Sequence, residues 1–228
     1  MSTNVKPSDL NYDHYETDVY DQDIQAVIPG HRELHDHIDK LFKPLVGRSL
    51  RILELGIGTG LTAERILKIV PRAHYTGIDF SKQMLDGAQK RLQKYDVRFT
   101  VGDFAKIPFE KQDIIVSVIG IHHQTHEGKK ALFKKIFSAL EQGGRFIFGD
   151  LMTFRDPEEA AFNEACHYAH LVQHARNEQA LREWAHHHKF LNLLAPIEDQ
   201  MNWLKEVGFS EVNVVYCKYN TILICATK

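Results

Sequence analysis

Three glycines at alternate positions follow a short apolar run in the first quarter of the chain. Residues 50–55 read Leu-Arg-Ile-Leu-Glu-Leu, and Gly56, Gly58 and Gly60 come next, before a helical pattern that begins near Leu61. Glycine lets a backbone loop approach a bound ligand closely, and the N–H groups at a helix start favour negative or polar groups. The sequence therefore predicts a small-molecule site at this turn.

Two carboxylates accompany this loop. Glu54 precedes the first glycine, and Asp79 ends the next apolar run, about 20 residues further on, where a carboxylate suits the hydroxyls of a ribose. Residues 58–63 also satisfy the dinucleotide pattern GxGxxA, so a pyrophosphate-containing cofactor is one alternative. Glu54 would repel a pyrophosphate but suits a ligand that carries an ammonium group.

Histidine is unusually common, with 14 residues among 228. His122 and His123 follow the β-branched run 114–119, at the end of a predicted strand, where an imidazole could act as a general base near neutral pH. We therefore predict that these two are catalytic. His186, His187 and His188 are adjacent, and neighbours on a helix point three ways, so one could enter a pocket but all three cannot.

A further group of histidines lies in a predicted helix near residue 170. Phe162 and Val172 belong to an apolar stripe, and His167, His170 and His174 fall on the opposite side. Two histidines four residues apart, with a nearby carboxylate, could bind a metal. Because no second element supplies a ligand, we predict a solvated helix face and no metal site.

Apolar runs that alternate with helical patterns predict an α/β fold. A mostly parallel, doubly wound sheet of seven strands is expected, with a C-terminal antiparallel hairpin and a helical lid. The predicted strands are residues 50–55, 75–78, 97–101, 114–119, 145–149, 212–216 and 222–226. We expect an N-terminal helical lid over 1–46 and a main domain over 47–228, with a helical insertion at about 156–194.

Composition limits the partners and the compartment. The net charge is −2 without blocks of like charge, so no nucleic acid is expected. The polar, acidic start does not resemble a signal peptide, and apolar runs are too short for a membrane span. The three cysteines form no CxxC pair, which is typical of a reduced, cytoplasmic protein.

Several motifs together resemble one enzyme family. The pattern Glu-x-Gly-x-Gly-x-Gly is followed by Gly-Ile-Asp-Phe-Ser at 77–81, Gly-Asp-Phe at 102–104 and Leu-Glu-Gln-Gly-Gly-Arg-Phe at 140–146. With the ending Trp-Leu-Lys-Glu-Val-Gly-Phe at 203–209, this set is similar to the class I S-adenosylmethionine (SAM)-dependent methyltransferases, over about residues 46–228. The resemblance implies SAM as the cofactor and methyl transfer to a small molecule as the activity.

The same resemblance implies the roles of individual residues. Those implied to bind SAM are His31, Glu54, Gly56, Gly58, Gly60, Asp79, Phe80, Met84, Asp103, Phe104 and Ile119. Among them, the glycines and Glu54 would lie along the methionine part, and Asp79 would bind the ribose. Phe80, Met84, Asp103 and Phe104 would surround the adenine.

The acceptor would bind under the lid. Tyr12 and Tyr20 are spaced for one face of the N-terminal segment, and His167 and Tyr168 lie in the insertion, so we predict that these four contact the substrate. An aromatic lid suits an apolar or cationic small molecule. The sequence leaves the oligomeric state undecided, because the Tyr-rich segment could swap between the subunits of a homodimer.

A narrower resemblance raises an alternative. Residues 27–31, Val-Ile-Pro-Gly-His, together with the insertion, look like the carboxy-SAM synthase group, in which a tyrosine follows Pro-Gly and an arginine in the insertion recognises a carboxylate. Here His31 replaces the tyrosine and Ala185 the arginine, with Arg182 close but not aligned. We therefore favour methyl transfer over other SAM chemistry (carboxyl transfer to SAM or its internal cyclisation), and over an NAD-dependent oxidoreductase.

Overall fold

The computed structural model describes Leu10 and residues 16–228. The strands are β1 (Arg51–Leu55), β2 (His74–Asp79), β3 (Val97–Val101), β4 (Gln112–Val118), β5 (Leu140–Leu151), β6 (Glu211–Lys218) and β7 (Thr221–Thr227). The α-helices are α1 (Thr17–Val27), α2 (His31–Phe42), α3 (Leu61–Ile69), α4 (Lys82–Arg91), α5 (His126–Ala139), α6 (Pro157–His174), α7 (Glu178–Phe190) and α8 (Ile197–Val207). Short 3₁₀ turns lie at Lys43–Leu45 and Ile121–His123.

The strands form one sheet in the order β3-β2-β1-β4-β5-β7-β6. β1 to β5 pair in parallel, and β7 is antiparallel to both β5 and β6. The predicted α/β fold with a C-terminal hairpin is confirmed. The order reverses between β1 and β4, and in such sheets ligands bind beyond the carboxyl ends of the strands at this point.

The central strands are buried on both faces, which explains their continuous apolar runs. Ile115 and Val116 of β4 have no exposed surface, and Ile52 and Leu55 of β1 are equally enclosed. Parallel strands covered by helices on both faces read as unbroken apolar stretches rather than as alternating ones. β5 is longer than predicted, because pairing begins at Leu140 and continues through an irregular register before Arg145.

Helices from two separate parts of the chain cover the carboxyl edge of the sheet. α1 packs with α6 and α7 through a cluster that includes Ile24, Val27, Leu171 and Trp184. The Arg176 guanidinium and the Asp23 carboxylate form an ion pair at 3.1 Å between these halves of the lid. No helix within the described residues has the length and apolar character needed to cross a membrane. The division at residue 46 stays a prediction.

The predicted insertion consists of two helices, and our assignment of the faces of α6 is wrong. Phe162 and Val172 of the supposed core stripe are 65% and 63% exposed, whereas His167 is 2% exposed. His167 Nδ1 bonds with Asn220 Oδ1 at 2.8 Å, and His170 Nε2 donates to the Ala26 carbonyl at 2.9 Å. Histidine is tolerated inside because these bonds replace those to water. Only His174 of this set is exposed.

This reversal predicts opposite sensitivities on the two faces of α6. His167→Ala should lower the free energy of unfolding by about 2–3 kcal/mol, because it creates a cavity and leaves Asn220 Oδ1 without its partner. The matched change Phe162→Ser, on the exposed face, should alter it by less than about 0.5 kcal/mol. Urea unfolding measures both values. If Phe162→Ser lowered the free energy of unfolding more than His167→Ala does, the face with Phe162 would be the buried one, as the sequence predicted.

Candidate functional site

The glycine loop turns sharply from β1 into α3 and is anchored on β2. Gly56 and Gly58 have φ of +73° and +53°, in the left-handed region that favours glycine. The N–H groups of Gly56 and Ile57 both donate to the Ile78 carbonyl, at 2.9 and 3.1 Å. A Cβ atom on Gly77 would lie 2.3 Å from Ile57, so a residue without a side chain is required where β2 meets this loop.

Asp79 connects the end of β2 to the glycine loop. Its Oδ2 accepts the Gly58 N–H at 2.8 Å, and its Oδ1 accepts the Ser81 N–H at 2.9 Å. The side chain is nearly buried and lines the cleft described below. The sequence predicts that this carboxylate binds a ribose, and in the structure two backbone N–H groups fix its orientation beside the loop.

Glu54 lies beneath the loop in a chain of buried polar groups. It is 1% exposed, and the Tyr75 hydroxyl donates to its Oε2 at 2.6 Å. Burial raises the pKa of Glu54 to about 8, although the hydrogen bond from Tyr75 acts in the opposite direction. The carboxyl group is therefore protonated at neutral pH.

The neighbouring histidine completes this chain of groups. His35 Nδ1 donates to the His31 carbonyl at 2.9 Å, so its Nε2 accepts from the Thr62 hydroxyl at 3.0 Å. Burial holds the pKa of His35 and, more strongly, of His31 below the ordinary value, so both rings are neutral. With its hydroxyl proton directed to His35, the Thr62 oxygen can accept the proton of the neutral Glu54.

A cleft of about 800 Å³ opens above the loop, and we call it the glycine-loop cleft. Its described lining contains most of the residues predicted to bind a cofactor: His31, Glu54, Gly56, Gly58, Asp79, Phe80, Met84, Phe104 and Ile119. Tyr20 of α1 also lines it. The 800 Å³ includes solvent at the open mouth of the cleft, and the space that can hold the centres of water-sized spheres is about 100 Å³.

A polar cluster fixes α1 over the loop. The Thr59 hydroxyl donates to Asp21 Oδ1 at 2.6 Å, and Arg91 of α4 forms an ion pair with Asp21. Arg91 also donates to the Thr59 carbonyl at 3.1 Å. Asp21 is 6% exposed, so its charge is satisfied by these partners inside the protein. Closure of the cleft by α1 therefore depends on one buried carboxylate.

The segment after β4 carries backbone strain next to the cleft. Ile119 has φ of +51°, which is rare for a β-branched residue and costs about 1–3 kcal/mol. Its N–H donates to the Gly149 carbonyl of β5 at 2.8 Å, which helps to hold this conformation. Such strain concentrates at functional sites.

The two predicted catalytic histidines follow Ile119 and have different partners. His122 Nδ1 bonds with Asp150 Oδ1 at 2.5 Å, and Asp150 Oδ2 accepts the N–H groups of Ile121 and His122. His123 Nδ1 donates to the Leu191 carbonyl at 2.9 Å. Burial holds the pKa of His123 well below its ordinary value, so this imidazole is neutral.

Next to the glycine-loop cleft lies a second, narrow cavity of about 20 Å³, room for about one water molecule, which we call the lid cavity. His122, His167, His187 and His188 line it, together with apolar residues of α1, α6 and α7, and Tyr20 and Ile119 line both cavities. The rings of His167 and His188 stack at 4.0 Å. His187 and His188 thus both face the cavity, whereas His186 is exposed.

Not every predicted residue lies at these cavities. Gly60 packs against Leu92 and Ala88 of the α4 region, and Asp103 lines a neighbouring depression with Phe104. Tyr168 is half-buried against the His188 ring, at 5.2 Å, and is absent from the described lining of the lid cavity. Tyr12 lies outside the described residues.

Sequence reasoning missed three groups that build the site. Asp150 lies near the carboxyl end of a central strand, a position that could have identified it. Lys129 is 1% exposed and donates to the Leu193 carbonyl at 2.6 Å and to the Gln124 carbonyl. Asp21 also escaped notice, because nothing in the local pattern predicts that α1 lies on the glycine loop.

Comparison with known proteins agrees with this geometry. Residues 52–144 match the family described as "Methyltransferase domain". An "uncharacterized methyltransferase" of Bacillus cytotoxicus is 32% identical over 141 residues, 61% of this chain and 65% of that relative. The match thus spans less than two thirds of the relative's length.

Solved structures share the fold. Phosphoethanolamine N-methyltransferase 2 of Haemonchus contortus, in complex with S-adenosyl-L-methionine, aligns with a TM-score of 0.64 at 21% identity, over 90% of this chain and 44% of that one. Human N-acetylserotonin methyltransferase, in complex with SAM, aligns with a TM-score of 0.59 at 17% identity, over 88% of this chain and 52% of that one. The α/β fold predicted from the sequence is thus shared with these structures.

The buried Glu54 makes a prediction about stability and pH. Its pKa is raised from 4.5 in the unfolded chain to about 8, so the folded protein binds more protons and loses stability as pH rises between these values. Glu54→Gln removes this dependence. The free energy of unfolding of the variant relative to wild type should therefore increase from pH 5 to 8, by on the order of 4 kcal/mol.

Chemical denaturation at several pH values measures this difference. The exposed Glu158, replaced by Gln, controls for the loss of a carboxyl group elsewhere on the chain. Parallel curves for wild type and Glu54→Gln across this range would show that Glu54 is ionised in the folded protein.

Proposed function

We propose that this chain, whose residues 52–144 match a methyltransferase domain family, transfers a methyl group from SAM to a small molecule. The observation that carries the proposal is the pairing of Asp79 with the glycine loop. A buried carboxylate fixed to the Gly58 N–H, at the topological switch point of the sheet, is suited to the hydroxyls of a ribose.

The glycine-loop cleft fits SAM by the chemistry of its lining. Asp79 would bind the ribose, and the apolar surfaces of Phe80, Met84 and Phe104 would enclose the adenine. Glu54 would lie near the ammonium group of the methionine part, where a positive charge favours its ionised form. The positive φ of Gly56 and Gly58 leaves room for the ligand against the backbone.

Bound SAM supplies an activated methyl group, and the protein supplies orientation and exclusion of water. Asp21 holds α1 across the cleft, and Trp184 of α7 packs with Tyr20 at 6.1 Å between ring centroids. The acceptor would bind on the side of the lid cavity, because Ile119 and Tyr20 border both spaces, and α1, α6 and α7 would move apart to admit it. A site of this small size, lined by apolar and imidazole groups, favours a small molecule over a polymer.

His122 and His123 would act at the boundary between cofactor and acceptor, because one of them lines each of the two cavities. His123 lines the glycine-loop cleft, and His122 lines the lid cavity. Tyr20 and His167 would contact the acceptor. The cytoplasmic location, the absence of a nucleic-acid partner and the homodimer remain predictions from the sequence.

Other chemistry at the same cleft receives less support. Arg182 is exposed and pairs with Glu178, and Ala185 packs within the lid, so the arginine expected of a carboxy-SAM synthase has no counterpart at these positions. Because Glu54 is protonated in the folded chain, it does not repel a pyrophosphate as the sequence suggested, and titration with NADH decides this alternative.

Ligand titration and product analysis test the proposal. S-adenosylhomocysteine (SAH) should bind and NADH should not, and incubation with SAM and candidate acceptors should yield SAH. Binding of NADH alone would refute the proposal. Release of methylthioadenosine instead of SAH would identify cyclisation of SAM.

Asp79→Asn should weaken SAH binding by at least about tenfold, because it removes the charge that strengthens hydrogen bonds to the ribose while preserving shape. The matched control is Asp86→Asn on α4, an exposed carboxylate paired with Lys82. Calorimetric titration of both variants measures the effect. Equal affinity in Asp79→Asn and Asp86→Asn would exclude Asp79 from the binding site.

A further inference from the structure

Three imidazoles converge where the two cavities meet. His122 and His123 belong to the turn after β4, and His187 comes from α7. One ring nitrogen from each lies within 4.8 Å of those of the other two. The ring centroids are 4.0 Å apart for His122 and His123, and 5.2 Å for His123 and His187. Two separate elements thus bring nitrogen ligands to one point.

Two of these imidazoles form, through their other ring nitrogen, the kind of hydrogen bond that is typical of metal-binding histidines. Asp150 Oδ1 accepts from His122 Nδ1, and the Leu191 carbonyl accepts from His123 Nδ1. A histidine that binds a metal characteristically donates its other ring N–H to a carboxylate or a backbone carbonyl, which fixes the tautomer and the ring orientation. Both rings would therefore coordinate through Nε2.

The other two histidines that line the lid cavity, His167 and His188, bond with side chains outside the convergent group. His188 Nε2 bonds with Glu164 at 3.1 Å and its Nδ1 with Asn192 at 3.1 Å, so both ring nitrogens have protein partners. His167 Nδ1 is bonded with Asn220. These two form the wall of the cavity, and the convergent set consists of His122, His123 and His187.

We propose that His122, His123 and His187 bind one divalent transition-metal ion, with Zn²⁺ as the reference ion. Imidazole suits Zn²⁺ and related ions, and three histidines with one open position form a ligand set typical of catalytic zinc. In this assignment His122 and His123 bind the ion and do not act as the general bases predicted from the sequence. A general base built from His122 and Asp150 would leave the convergence of His187 on the same point unexplained.

The position of the ion deepens the proposed function and rests on it. His123 lines the glycine-loop cleft, whereas His122 and His187 line the lid cavity, so an ion held by all three would lie where the two cavities meet. Such an ion would lower the pKa of an acceptor hydroxyl or thiol, whose proton would pass to solvent before the lid closes. The resulting oxygen or sulfur would bond to the methyl carbon of SAM, and the electron pair of the broken methyl–sulfur bond would remain on SAH.

Metal titration of the full-length chain, without an affinity tag, tests the site. After removal of metals with a chelator, the protein is titrated with Zn²⁺ and with Co²⁺, whose visible absorption reports coordination. We expect one ion per chain at the site. His187→Ala should weaken binding at least about 100-fold, since loss of an outer-shell partner alone costs about 10–100-fold. His186→Ala, an exposed neighbour on the same helix, should bind as wild type does.

SAH titration of the same samples separates this proposal from the proposed function. Unchanged SAH affinity in His187→Ala shows that this variant is folded. If His187→Ala does not fold, His187→Asn is used in its place. Equal Zn²⁺ affinity in wild type and either His187 variant overturns the metal site. Specific Zn²⁺ binding without any SAH binding would retain the site and refute the methyltransferase function.

Discussion

A carboxylate with no exposed surface, that of Asp150, determines how the turn after β4 is built. Its oxygens accept the backbone N–H groups of Ile121, His122 and Leu151, in addition to the ring of His122. An ionised group can be buried only if such bonds replace its hydration. The path of the turn, the orientation of His122 and the position of His123 beside the cleft all follow from this requirement.

A buried cation provides the complementary restraint. Lys129 donates to backbone carbonyls of the turn and to that of Leu193, beyond α7. Burial lowers its pKa to about 8, with the charge of Asp150 acting in the opposite direction. The anion thus holds N–H groups of the turn and the cation holds its carbonyls. Together, Asp150 and Lys129 connect the sheet to the segment after α7, whose Leu191 carbonyl accepts the hydrogen bond of His123.

The sheet and the glycine loop could be predicted because their signals are local. A run such as 114–119 identifies a buried parallel strand by itself, and alternate glycines before a helix identify the loop. The faces of α6 could not be predicted in this way. Periodicity divides a helix into two faces, but which face is buried depends on partners such as Asn220 and Ala26, which lie far away in sequence. The convergence of His187 on His123 likewise depends on where the lid packs, and no local pattern contains that information.

The ion pair between Asp21 and Arg91 has a consequence for kinetics. It joins the lid helix to α4, so exchange of a bound molecule by displacement of α1 from the loop separates these charges. Once apart, both groups meet water, where dissolved salt weakens their attraction over distances of about 10 Å at 0.1 M. Ionic strength therefore acts on the exchange of bound molecules with solvent, while the enclosed interior is screened far less.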